Sequence, residues 1–174
     1  MPQYQYSQNE LDALATCAKR VSDPPRRDMK SEGAFARNDF GLESIDGQHR
    51  FKVFFRQNQT FPENFSLGLD YLPQTGGRFT ILRVNGAHGD FNRSFDPAHP
   101  HNHPHVHCMT AEDLSRGILK PRIATPSSEY ASFEQAVPYF VKRVNITEGA
   151  AEYFEPYRQI ALLFVNDEES QEAS

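Results

Sequence analysis

The chain has 174 residues, 38% of them hydrophobic and including 14 Phe and 7 Tyr, which is enough large apolar surface for one ordinary domain and short for two. A formal net charge of −5 argues against holding nucleic acid by bulk attraction, although a local basic patch on an acidic body can still engage a phosphate backbone. Cys17 and Cys108 give neither a disulfide framework nor a CxxC knuckle, and no run approaches the roughly 18 apolar residues of a membrane span, so a single cytoplasmic domain (1–174) with no membrane partner is expected.

The first element is a helix over about 7–21, with Ser7 as N-cap, Glu10 three positions on, and Leu11, Leu14, Ala15 and Ala18 at helical spacing. It ends before "SDPPRRDMKSEG", whose paired prolines read as an exposed connection. Four extended segments follow, "AFARNDFGLES", "HRFKVFFRQ", "NFSLGLDYL" and "RFTILRVN", broken by "IDGQ", "TFPE" and "PQTGG", which predicts an antiparallel meander. The aromatics of "KVFFRQ" read as core. In the last segment strict alternation puts Phe79, Ile81 and Arg83 on one face and Thr80, Leu82 and Val84 on the other.

A long proline-rich loop leads to "HVHCM", a candidate fifth strand, and to a short helix capped by Thr110. "SFEQAVPYFVKRVNI" reads as an amphipathic helix capped by Ser132 and carrying Pro138. "YFEPYRQIALLFV" is ambiguous between helix and strand, and about 166–174 is an acidic, solvated tail. The expected fold is α+β: an antiparallel sheet of four to six strands with helices packed mainly on one face, and a core within about 35–146.

The chemistry concentrates in histidine. Five of the chain's seven histidines stand at alternate positions, 99, 101, 103, 105 and 107. On an extended backbone His103, His105 and His107 would project together at roughly 6.5–7 Å intervals. Two such imidazoles plus a third ligand can hold zinc or another divalent transition metal. "HVHCMTAE" is also similar to the His-x-His and Glu of cupin barrels, with His105, His107 and Glu112 in the corresponding places, but without the cupin's glycine pattern or second histidine motif. His99 and His101, among the prolines, read as loop residues.

Upstream, "LRVNGAHGDFNR" gathers groups able to serve a phosphodiester. Arg83 can neutralise phosphate oxygens, Asn85 can orient a base or sugar, and Asn85-Gly86 predicts a sharp bend that carries His88. His88 with His105 or His107 would supply an acid and a base near neutral pH, with Arg56 and Arg93 as further cations and Asn58 as a further substrate contact. Each histidine of the 103–107 run equally suits a structural role, donating to a sheet carbonyl.

These motifs resemble a family of small bacterial and prophage proteins, mostly of unknown function. Its members carry Arg-Gln-Asn with Phe-Ser-x-Gly-Leu, then Arg-x-Asn-Gly-x-His-Gly, then His-x-Pro-His-Ile-His before a threonine. Here these fall on Arg56, Gln57 and Asn58; Phe65, Ser66, Gly68 and Leu69; Arg83, Asn85, Gly86, His88 and Gly89; and Pro104, His105, His107 and Thr110. Asn102 stands where the family has the first histidine of its last motif, and the resemblance covers about 50–145. More weakly, the arrangement is similar to TumE-type toxins of toxin–antitoxin systems, which by analogy implies nucleic-acid cleavage or binding. The first expectation is therefore an RNase-like toxin or nucleic-acid-processing protein acting on RNA or another nucleic acid, without a cofactor. A metal-binding protein is the second, and a non-enzymatic phage-encoded inhibitor whose acidic surface meets a host protein with a basic groove is the third; an antitoxin would be a partner under the first.

Overall fold

Local capping chemistry sets where the helices begin, and packing decides which of their faces is buried. In the computed structural model, which describes residues 3–88 and 103–172, helix α1 (Gln8–Thr16) starts at Ser7. The Ser7 hydroxyl accepts from the Glu10 N–H while the Glu10 carboxylate accepts from the Ser7 N–H. The helix stops at Thr16 rather than near 21, and Lys19–Asp23 becomes strand β1. Lys19 accounts for the stop: its buried ammonium donates to the carbonyls of Ala15, Cys17 and Val144 at 3.0, 2.8 and 2.8 Å. The Ala15 carbonyl, which a continuing helix would bond to a backbone N–H, is thereby taken.

The remaining strands are β2 (Lys30–Glu32), β3 (Phe35–Ser44), β4 (Arg50–Asn58), β5 (Phe65–Leu72), β6 (Phe79–Asn85), β7 (His105–Cys108), β8 (Ala124–Pro126) and β9 (Ile146–Glu148). The helices are α2 (Ala111–Ser115), α3 (Phe133–Arg143) and α4 (Ala150–Glu172). The fold is α+β, but the sheet is larger than the four to six strands expected: nine among the described residues, in the order β8-β7-β6-β5-β4-β3-β1-β9, with β2 paired to β3. It is also mixed, because β1 and β9 run parallel. The additional strands "KRVSD", "KSE", "ATP" and "ITE" are too short for alternation to declare them.

Helices α1, α3 and α4 contribute side chains to one core. Phe55 meets Phe133 and Phe140 at 6.0 and 5.9 Å between ring centroids, and Phe40 meets Phe154 at 5.4 Å. Val53, Leu67, Leu69, Leu82 and Val84 fill the space between, and the core also draws on Tyr4, Leu11, Leu14 and Phe154, outside the 35–146 stretch. The ambiguous segment after 150 is helical, and its backbone helix runs through most of the acidic segment expected to be a tail. Among the described residues no helix is long and apolar enough to cross a membrane.

One irregularity decides what the other face carries. Between β5 and β6 the register slips, Leu69 pairing with Leu82 but Asp70 with Thr80, so Ile81 is an extra residue, a β-bulge. The bulge reverses the alternation expected from sequence. Phe79, Leu82 and Val84 share the core face, while Thr80, Arg83 and Asn85 share the opposite one.

Candidate functional site

The strand register lays two rows of side chains across the face opposite the aromatic core. One row is Arg37, Arg56, Ser66, Asn85 and His105; the other is Asp39, Phe54, Gly68, Arg83 and His107. Two adjoining hollows, of about 550 and 540 Å³, open on this face, and Arg37, Phe54, Arg56 and Arg83 line both. His88, Asn85 and Ser66 line the first hollow; Thr80, Asp70 and Lys120 line the second.

At the β7 end the histidines meet. His88 Nε2 lies 3.3 Å from His105 Nε2, with the ring centroids 5.1 Å apart and the rings nearly edge-on. His105 Nδ1 lies 2.7 Å from the His103 carbonyl, which can only accept, so Nδ1 carries the proton. In a neutral ring Nε2 is then an acceptor, and the Asn85 amide, 3.4 Å away, is oriented to donate to it by the Ser66 hydroxyl, which donates to Asn85 Oδ1 at 2.8 Å. Protons on both facing nitrogens would point at each other, so the contact holds one. With a neutral His105 protonated on Nδ1, that proton is carried by His88 and His105 Nε2 accepts it. Tyr130 braces the strands beneath, its hydroxyl 2.8 and 2.9 Å from the carbonyls of Asn85 and His105. Burial holds that phenol well above its ordinary pKa, so it remains a donor.

His107 is 1% exposed and packs edge-on against His105 at 5.0 Å between centroids. His103 lies ahead of β7, exposed, and its backbone rather than a shared strand face links it to the pair. The three-residue ladder therefore does not form, because Pro104 delays the strand until His105. Among the described residues no group of three His, Cys, Asp or Glu is placed to hold a metal ion. Glu112, the cupin-like position, pairs with Arg116 at 2.7 Å. Cys108 is exposed.

The three arginines differ in their surroundings. Arg37 and Arg56 each reach Asp39, both at 2.7 Å. Burial pushes the Asp39 carboxyl up, but these hydrogen bonds more than offset it and hold the group below the usual carboxylate range. Arg83 is different. Its guanidinium makes no hydrogen bond or ion pair among the described residues, its Nε is buried, and burial alone lowers its pKa from arginine's ordinary value. A partly desolvated guanidinium without a carboxylate carries a cost, and an anion brought to it would relieve that cost.

The remaining candidates fall elsewhere. The Asn58 side chain accepts from the N–H groups of Thr60 and Phe61, both at 2.9 Å, and so caps the turn after β4 instead of lining either hollow. Arg93, His99 and His101 lie outside the described residues. Asn85-Gly86 makes no sharp bend: the chain continues beside β5, with the Gly86 N–H donating to the Phe65 carbonyl at 3.0 Å. Glycine is required there for space, since a Cβ would stand 2.1 Å from the Glu63 carbonyl oxygen. Sequence reasoning missed Arg37, Asp39 and Phe54; the alternation in "KVFFRQ" that buries Phe55 already places Phe54 on the other face. Compared with protein-family models, with curated proteins and with solved structures, the chain matches none.

Proposed function

We propose that this face binds and cleaves RNA, in an RNase-like or nucleic-acid-processing protein. The observation that carries the reading is the His88–His105 contact standing beside a partly buried arginine with no carboxylate partner among the described residues. Arg83 takes the phosphate, and Asn85 orients His105 and the sugar. In the reaction His105 Nε2 accepts the 2′-hydroxyl proton, the 2′-oxygen bonds to phosphorus, and the bond from phosphorus to the 5′-oxygen breaks. His88, as the imidazolium, gives its Nε2 proton to that leaving oxygen and is left neutral, while His105 becomes the imidazolium. The two imidazoles must flank the phosphodiester, so the 3.3 Å contact opens when substrate enters; His105 is the fixed partner, held by the His103 carbonyl and Asn85. Purified protein should cut single-stranded RNA, and His88→Ala and His105→Ala should each slow cleavage by at least about a hundredfold. Cleavage by either variant at the wild-type rate would sink the assignment.

The same contact favours a second reading. Two nitrogens bound to one tetrahedral zinc stand about 3.3 Å apart, and metal-ligating histidines commonly donate their other ring N–H to a carbonyl, as His105 does. Under that reading His88 and His105, not the 103–107 ladder, are the ligands. Metal analysis would then find a stoichiometric ion that His105→Ala loses.

A further inference from the structure

The middle of the polar face is occupied by an aromatic ring that the core does not use. Phe54 projects opposite its neighbours Val53 and Phe55, is only partly buried, and lines both hollows. Its ring lies across β5 at Gly68, where a Cβ would stand 2.0 Å from Phe54 Cζ and 2.3 Å from Cε1. The glycine thus makes room for the ring to lie over the strand. The Arg56 guanidinium carbon lies over the ring, 5.5 Å from its centroid, so a stacked base would share that face with Arg56 or take its place, and Arg83 is the cross-strand neighbour of Gly68. Around the ring the two hollows gather six cations, Arg37, Lys52, Arg56, Arg78, Arg83 and Lys120, against the carboxylates of Glu32, Asp39 and Asp70. That local surplus of positive charge sits on a chain whose net charge is −5.

Resting on the reading of this face as a nucleic-acid site, we infer that Phe54 is a stacking platform for an unpaired base and that the substrate is single-stranded. An aromatic ring ringed by cations is the arrangement that single strands use: bases stack on the ring while phosphates follow the charges. In a duplex the base faces are already stacked on one another, so the platform has nothing to receive. An acidic peptide could engage the arginines but gains nothing specific from the phenyl face. Gly68 belongs to the same device, because any side chain there displaces the ring.

The test is equilibrium binding of a labelled 2′-O-methyl oligoribonucleotide, which cannot be cut because the nucleophile is blocked, of its duplex, and of an abasic strand of equal length. The wild-type chain should bind the single strand at least tenfold more tightly than the duplex. Phe54→Leu, which keeps apolar bulk without a π face, should weaken single-strand binding roughly tenfold and leave the abasic strand unaffected, while Phe54→Trp should restore it. Thermal melts of both variants establish that they fold. Equal affinity for strand and duplex, or wild-type affinity in Phe54→Leu, overturns the platform while leaving nucleic-acid binding intact. Failure to bind any strand, with tight binding of polyglutamate, overturns both readings and assigns the face to an acidic protein partner.

Discussion

At the scale of single residues, this face is distinguished by partners supplied and partners withheld. His105 is given a carbonyl on one nitrogen and an amide on the other, which fixes its tautomer, whereas Arg83 stands partly buried beside it, its Nε out of solvent, without a carboxylate among the described residues. A site that keeps a cation without a carboxylate partner accepts a less stable unliganded state. Arg83→Met should therefore raise the stability of the free protein by about 1 kcal/mol or more, read by urea unfolding, while weakening RNA binding at least tenfold. Loss of both stability and binding would mean that Arg83 is structural. His88, Asn85, Arg83 and His105 were legible as residues, because each is a polar type that a plain strand or turn does not need. Their mutual geometry was not legible, since it depends on which face each occupies.

At the scale of elements, the bulge at Ile81 and the continuation of β6 past Asn85 build the site. Counting alternate positions through "RFTILRVN" gives the wrong face for Arg83, because one extra residue on β6 shifts everything beyond it. The sequence holds no turn residue there to announce the shift. Asn85-Gly86 misleads in the opposite sense: the pair looks like a turn, yet Gly86 serves close packing against Glu63 and Phe65 and so keeps His88 in line with His105. Gly86→Ala should cost about 1–3 kcal/mol by overpacking and should reduce cleavage beyond what the lost stability explains. Denaturant unfolding and cleavage rates measured on the same preparation separate the two effects; an unchanged midpoint would contradict the packing account. The helix caps, by contrast, were legible at Ser7, Thr110 and Ser132, because capping is local chemistry. The end of α1 was not, because Lys19 reaches Val144, which is remote in sequence.

At the scale of the whole molecule, an acidic chain presents one cationic, aromatic and histidine-bearing face, while its helices bury the aromatic core on the other. The α+β class and the central meander were readable from alternation and turn residues, whereas the short outer strands β1, β2, β8 and β9 that enlarge the sheet needed their partners to be recognised. The proposed reaction would have a specific chemical outcome, since an acid and a base without a metal leave different ends on RNA from those left by metal-assisted hydrolysis. The most direct measurement is analysis of the products formed when the purified chain is incubated with single-stranded RNA in excess chelator. Cleavage with 2′,3′-cyclic phosphate and 5′-hydroxyl ends is expected, lost in His88→Ala and His105→Ala. No cleavage, or cleavage that requires added metal and leaves 3′-hydroxyl ends, would contradict it.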